Sequence, residues 1–200
     1  MAANINSLFQ SLSSEISAIP NLARNSQASV NWFLKRMQSI TAVNRHELLG
    51  DPALIQQNRP SIGKMFMFVY NPIGGDTLPY YDKFPVMIMV GPVSKGFYGL
   101  NLHYLEPRMR GMFLSKLISY TSSTKLDEKT ELNITYQMLA GAARLKEFVP
   151  CFKRYVFTGV KSNVVMIPAP EWDTAVMLPT ADFRKAKKET VWAESKSSIK

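Results

Sequence analysis

"MFMFVYNPIGGDTLPYYDKFPVMIMVGPVSKGFYGLNLHYL" (Met65–Leu105) is the stretch that decides the fold of this chain. It contains three runs of aromatic and aliphatic residues, "MFMFVY", "PVMIMV" and "FYGLNLHYL", separated by a long loop and by a tight connection. Apolar runs bounded by Gly and Pro are typical of β-strands. A glycine inside the third run, Gly99, marks a bend of the kind found in small barrels. These runs predict a meander or a small SH3-like β-barrel over about residues 64–105, completed by strands near residues 148–168.

Helical patterns flank these strands on both sides. Two amphipathic segments precede them, "NINSLFQSLSSEISAI" and "SQASVNWFLKRMQSITAV", and a connector follows over residues 44–64. Beyond the strands, further helices are predicted from Pro107 to Tyr120, through Leu132, Tyr136, Leu139 and Ala143, after Pro170, and over "TADFRKAKKETVWAES". The expected fold class is therefore α+β, with N-terminal, middle and C-terminal helices. We expect an N-terminal helical arm over residues 1–45 and a single α+β domain over residues 46–200.

The charge of the chain favours a polyanionic partner. The formal net charge is +9 and the pI is about 9.7, with 46% apolar and 20% charged residues, a normal globular balance. The last fifty residues carry nine basic and five acidic side chains. Lysines and arginines that meet phosphates release counterions, so nucleic acid is one expected partner. A basic surface that docks an acidic protein is the alternative.

Cysteine usage and hydropathy point to a reducing environment. Cys151 is the only cysteine, so an intramolecular disulfide is excluded. The N-terminus lacks the basic start and apolar run of a signal peptide, and the apolar stretches are too short to span a bilayer. We expect a protein without membrane contact that works in a reducing cytoplasm or in a particle assembled there.

The sequence contains no recognisable active site. No His/Cys/Asp/Glu group has metal-ligand spacing, and no phosphate-binding glycine loop or nucleophile elbow is present. Asp76, Asp82 and Glu106 lack the accompanying E-x-K pattern of a nuclease, and turn-forming or solvated roles are expected for them. His103 is expected to be a satisfied histidine at the core edge. The chain is therefore predicted to be no enzyme and to need no cofactor or metal.

Three groups of basic residues are candidate nucleic-acid contacts. They begin a helix, lie between aromatic residues in "CFKRYVF", or cluster near the last helix, where interleaved cations and rings suit a nucleic-acid backbone and its bases. The candidates are Arg108, Arg110, Lys153, Arg154, Arg184, Lys185, Lys187 and Lys188. Tyr80 and Tyr81 in the long loop could stack on bases at a frayed or single-stranded end, contact a partner, or plug the mouth of the barrel.

Two strings are more specific than these patterns: LPYYD-x-FP over residues 78–85 and GF-x-GLN-x-HYL over residues 96–105. With "WFLKRM", "GKMFMFVYNP", "CFKRYV" and "EWDTAVMLPTADFRKA", they make most of residues 27–195 resemble the DNA end protector proteins of T4-like myoviruses. The resemblance implies a minor virion component at the ends of packaged linear double-stranded DNA near the portal vertex. It implies protection of those ends from host exonuclease and help in head completion. It supplies no catalytic residues, and it leaves the role of residues 1–26 open.

A second hypothesis stays open beside this one. The chain could be a neck or baseplate protein that docks other structural proteins without contacting DNA. Either hypothesis predicts a part of a multi-subunit virion assembly, with portal, neck or baseplate proteins as neighbours. Salt-sensitive binding to DNA separates the two hypotheses.

Overall fold

The computed structural model of the chain describes residues 7–24, 26–40, 43–119 and 148–199. The described helices are α1 (Leu8–Ser17), α2 (Gln27–Met37), α3 (Arg45–Leu49), α4 (Pro107–Ser119), α5 (Trp172–Met177) and α6 (Lys188–Ile199). The strands are β1 (Ile55–Gln57), β2 (Met65–Met67), β3 (Tyr81–Asp82), β4 (Val86–Val93), β5 (Gly96–Asn101), β6 (Phe152–Val156), β7 (Val164–Ile167) and β8 (Phe183–Arg184). The helix expected through Leu132, Tyr136, Leu139 and Ala143 lies outside the described residues.

Six strands form one antiparallel sheet in the order β1-β7-β2-β4-β5-β6, and β3 and β8 form a separate two-stranded ribbon. This mixture of helices and antiparallel strands confirms the α+β class. The expected SH3-like barrel is not confirmed. Among the described residues the six-stranded sheet is open, because β1 and β6 lie at its two edges. Strands β2, β4 and β5, which come from the three apolar runs, do form the expected meander.

The third apolar run ends earlier as a strand than its alternating pattern suggests. Strand β5 stops at Asn101, and residues Leu102–Tyr104 form a 3-10 turn. The Asn101 side chain accepts a hydrogen bond from the His103 backbone N–H, at 3.0 Å, and so stabilises the turn. Gly99 allows the Met87 side chain to pack closely against β5, because a Cβ there would press on its sulfur. The glycine thus reflects close side-chain packing at this point of the sheet.

The helices pack on one face of the sheet. Phe9 of α1 and Phe33 of α2 are at most 1% exposed, and they belong to the same buried cluster as Ile88, Leu100 and Trp172. The sequence explains this packing, because both helices place apolar side chains three and four residues apart. The division into an arm of residues 1–45 and a domain of residues 46–200 stays a prediction. These contacts place both N-terminal helices on the common core.

The opposite face of the sheet carries a second, aromatic core. Its buried members are Phe66, Phe68, Tyr70, Tyr81, Met87, Met89, Phe97, Tyr155 and Val164. Phe97 and Tyr155 stack at 5.5 Å between ring centroids, whereas the other ring pairs mostly meet edge to face. The loop after β2 closes over this core, because Gly75 lies directly against the Tyr81 ring. The aromatic core therefore fixes the long loop in place.

The C-terminal segment differs from its sequence pattern. The helix expected from residue 180 begins only at Lys188, and Phe183–Arg184 instead pairs with β3. Trp192 anchors α6, because its indole N–H donates to the His103 carbonyl at 2.9 Å. None of the helices in the described ranges is long and apolar enough to cross a bilayer.

Candidate nucleic-acid interface

A cleft of about 280 Å³ lies between the loop that leads into β3 and the edge strand β6. We call it the basic–aromatic cleft; its lining residues are Tyr70, Leu78, Pro79, Tyr80, Tyr81, Asp82, Tyr104, Lys153, Arg154 and Tyr155. It brings together two groups that were predicted separately, the tyrosines of the loop and the cations of "CFKRYVF". A larger cavity of about 390 Å³ near Arg59 has a single basic residue in its lining. The smaller cleft is therefore the better candidate for a phosphate and a base.

Lys153 is the cation held most firmly in the cleft. Its Nζ lies 4.0 Å from the centroid of the Tyr104 ring, a cation–π geometry. Burial lowers the pKa of Lys153 from its ordinary value. Among the described residues, no carboxylate forms an ion pair with Lys153. A half-buried cation without a carboxylate partner in the described ranges is suited to an incoming anion.

Arg154 extends the positive charge to the surface. Its side chain is exposed, and Nη2 donates to the Ser94 carbonyl at 3.3 Å. This single hydrogen bond to a neutral acceptor leaves the other guanidinium N–H groups for a further acceptor. Charged residues on an edge strand also discourage pairing with other chains, so Lys153 and Arg154 protect β6 in either case.

Tyr80 stands at one wall of the cleft. Its ring lies 6.1 Å from the Tyr104 ring and 6.2 Å from the Phe183 ring. Its hydroxyl donates to Oε2 of Glu194 at 2.7 Å. Burial, together with the neighbouring Glu194, raises the pKa of Tyr80 to about 12. The half-buried ring is thus fixed in orientation and stays neutral.

A basic rim adjoins the cleft and consists of Arg184, Lys185, Lys187 and Lys188. All four side chains are exposed. Lys185 joins the rim to the cleft, because its Nζ donates to the carbonyls of Asp76 and, at 3.2 Å, of Leu78. Arg184 lies 3.6 Å from the exposed Asp76 carboxylate, and Lys188 Nζ lies 5.7 Å from the Trp192 ring centroid. The rim is therefore only partly neutralised.

One of the predicted basic contact residues does not reach the surface. Arg110 is 1% exposed, and its guanidinium donates to the carbonyls of Leu105, Val176 and His103 at 2.8, 3.2 and 3.5 Å. The expectation that Arg110 contacts phosphate is corrected, because these core carbonyls enclose it. Its neighbour Arg108 is exposed as expected.

Tyr81 is also unavailable for stacking on a base. It is 5% exposed, and its hydroxyl donates to Asn71 Oδ1 at 2.6 Å. Its ring meets Tyr70 edge to face at 6.2 Å. The burial follows from the pairing of β3 with β8, which turns Tyr81 toward the aromatic core. Of the tyrosine pair, only Tyr80 remains a candidate for stacking.

A buried polar chain lies beneath the cleft. His103 Nδ1 is 2.7 Å from Oδ2 of Asp82, and His103 Nε2 is 3.0 Å from the Thr180 hydroxyl. This is the hydrogen-bond order of a nucleophilic triad. All three side chains are at most 2% exposed, so the Thr180 hydroxyl has no access to a substrate. This buried polar chain has a structural role, and it agrees with the expectation that the hydrogen-bonding groups of His103 are satisfied.

Protonation states follow from this geometry. Burial lowers the pKa of His103, although Asp82 acts in the opposite direction, so the imidazole is neutral at pH 7. Burial opposes ionisation of Asp82, but hydrogen bonds from His103, Asn101 and the Phe84 N–H hold its pKa below the ordinary value. Arg110, whose pKa burial lowers to about 10, keeps the positive charge that balances Asp82.

Sequence reasoning missed several residues of this region. Tyr104, Phe183 and Glu194 position Tyr80 or Lys153, and none was predicted. One signal was present, since Phe183 directly precedes the basic residues Arg184 and Lys185. Asp82 was expected to be a turn or solvated residue and is instead buried. No group of three His, Cys, Asp or Glu side chains within the described ranges could hold a metal ion.

Comparison with known proteins identifies the family. No curated protein and no solved structure matches the chain. A family model described as "Phage T4 terminal DNA protecting protein" matches residues 2–196. The match spans nearly the whole sequence, including α1 and all eight described strands. The chain therefore belongs to the family of phage T4 terminal DNA protecting proteins.

Proposed function

We propose that the protein binds the ends of packaged linear double-stranded DNA near the portal vertex and protects them from host exonuclease. The observation that carries the proposal is the basic–aromatic cleft with its adjoining basic rim, in a chain of net charge +9. The family is one of DNA-protecting structural proteins and not of enzymes. It does not favour the alternative, a neck or baseplate protein without DNA contact.

The proposed mechanism is steric and electrostatic. The exposed cations Arg154, Arg184 and Lys187 would neutralise phosphates close to the terminus, with counterion release as the driving force. A bound protein then occupies the site at which an exonuclease must load. Such protection needs no bond cleavage, which fits a Thr180–His103–Asp82 chain sealed from solvent. As part of a multi-subunit virion assembly, the protein would also aid head completion.

Binding to a blunt linear duplex and to the same duplex closed into a circle tests this proposal. We expect tighter binding to the linear form, with an affinity that falls as salt rises. Each phosphate contact contributes about 0.9 to the slope of log K against log salt. Lys187→Glu should weaken binding and reduce the slope.

Lys35→Glu is the matched control. Lys35 is an exposed lysine on α2, outside the cleft and the basic rim. The same charge reversal there should leave end binding nearly unchanged. Equal affinity for linear and circular DNA would overturn end binding, and absence of binding at moderate salt would overturn DNA binding altogether.

A further inference from the structure

We infer that the basic–aromatic cleft accepts one unpaired nucleotide at a DNA terminus, so that the preferred ligand is an end with a single-stranded overhang. This inference rests on the proposed function and adds the class of end that is recognised. It concerns the cleft alone, whereas duplex phosphates would be bound by the exposed basic rim.

The size of the cleft sets the first limit on its ligand. The cleft volume of about 280 Å³ is just below the range of small-molecule sites, about 300 to 1,000 Å³. A stacked base pair does not fit a cavity of this size, whereas a single base removed from its stack is the usual occupant of a snug pocket in nucleic-acid proteins. A blunt end would have to fray before it could enter.

The walls supply the chemistry that an unstacked nucleotide needs. Tyr80 offers a rigid, neutral ring beside Leu78 and Pro79, a surface that is tolerant of base identity. Lys153 and Arg154 line the same cavity, and neither forms an ion pair with a carboxylate among the described residues. Ring and cation are therefore close enough to receive the base and the phosphate of one nucleotide.

Two buried tyrosines, Tyr70 and Tyr155, also contribute to the lining. Tyr70 Oη accepts from the Val156 N–H at 3.2 Å, and Tyr155 Oη accepts from Asn101 Nδ2 at 3.1 Å. These hydrogen bonds fix the two phenol rings in the lining of the cleft.

The buried polar chain beneath the cleft holds the lining residues in fixed positions. Asn101 Nδ2 bridges Tyr155 Oη to Asp82 Oδ2, at 3.1 and 2.9 Å. Asp82 in turn fixes His103, whose carbonyl binds Trp192 of α6. Glu194 of the same helix holds the Tyr80 hydroxyl. The floor and one wall of the cleft are thus preorganised, which lowers the entropy cost of binding a flexible strand end.

The test compares four internally labelled DNAs of the same sequence: a blunt duplex, duplexes with a three-nucleotide 3′ or 5′ overhang, and a closed circle. We expect at least one overhang to bind about tenfold more tightly than the blunt duplex, the range expected for one stacked base. Lys153→Gln and Tyr80→Ala should bring the ratio of overhang to blunt affinity close to one. Lys187→Gln on the rim is the matched control and should lower both affinities while leaving their ratio unchanged.

The outcomes separate this inference from the proposed function. Equal binding to blunt and overhanging ends, both tighter than to the circle, overturns the inference and leaves end binding intact. Equal binding to all four DNAs overturns the proposed function and the inference with it. An overhang preference that survives in both cleft variants overturns the assignment to this cleft.

Discussion

Replacing Arg110 and Arg108 by alanine tests the division between core and surface that the structure draws within one helix. Both arginines lie in the first turn of α4, and sequence patterns gave them the same role. Arg110 is 1% exposed, whereas Arg108 is exposed to solvent. Arg110→Ala should therefore destabilise the fold strongly, and Arg108→Ala should leave its stability nearly unchanged.

The magnitude follows from the partners that Arg110 would leave behind. His103 O keeps the Trp192 indole as a donor, but Leu105 O and Val176 O lose the guanidinium. Each buried acceptor left unpaired costs about 1–3 kcal/mol. Asp82 also loses the charge that balances it, and breaking a buried charge pair costs about 3–5 kcal/mol in total. We expect a loss of about 4 kcal/mol in the free energy of unfolding.

Urea denaturation followed by circular dichroism measures this loss. With a denaturant slope of about 2 kcal/mol/M, the midpoint of Arg110→Ala should fall by about 2 M. Arg108→Ala should lie within about 0.5 kcal/mol of the wild type. A loss below about 1 kcal/mol for Arg110→Ala, or equal losses for both variants, would refute the buried role.

Three other variants test separate parts of the account. Burial lowers the pKa of His103, so the unfolded chain takes up a proton below pH about 6.5 that the folded chain does not. The free energy of unfolding should therefore fall as the pH drops below this value. Urea titrations at pH 5–7.5 measure this fall, and His103→Asn should flatten it. A Cβ at position 96 would overlap the Tyr155 carbonyl, so Gly96→Ala should cost about 1–3 kcal/mol, and an unchanged thermal midpoint would show that the β5–β6 pairing is wrong. Phe9 is fully buried, and Phe9→Ala should cost about 3–5 kcal/mol in chemical denaturation; a negligible loss would instead favour an independent N-terminal arm.

Local patterns were sufficient for much of the fold. Apolar alternation located β2, β4, β5, β6 and β7, and amphipathic spacing located α1, α2 and α4. The order of strands in the sheet was not predictable from these patterns, because it depends on pairings between distant segments. Strand β7, for example, lies between β1 and β2 in the sheet, although about one hundred residues separate β7 from each of them in the sequence. The expectation of a barrel instead of an open sheet arose because this strand order could not be read from the sequence.

The burial of Arg110 could have been predicted from helical spacing, although the basic residues around it suggested a surface position. Residues two apart on a helix point to different sides, so Arg108 and Arg110 cannot share one surface. Arg110 lies three, four and seven residues before Phe113, Leu114 and Leu117, which are all buried. Helical spacing thus assigns Arg110 to the core face.

The candidate site could be predicted only in parts. Tyr80 and Lys153 were each identified from their local composition, but 73 positions separate them, and only the fold brings both to one cleft. The polar chain of Asp82, His103 and Thr180 joins three segments that have no common motif. Such a chain follows from tertiary packing, since buried polar groups require partners wherever the chain supplies them.

Protection of a linear duplex against a processive exonuclease tests the central claim most directly. Blunt and overhanging duplexes are saturated with the protein, challenged with the nuclease, and compared with Lys187→Glu and Lys35→Glu under the same conditions. The account predicts that wild type and Lys35→Glu preserve full-length strands, that overhanging ends are protected at lower protein concentration, and that Lys187→Glu protects poorly. Degradation at the rate of naked DNA, with the wild-type protein bound, would contradict it.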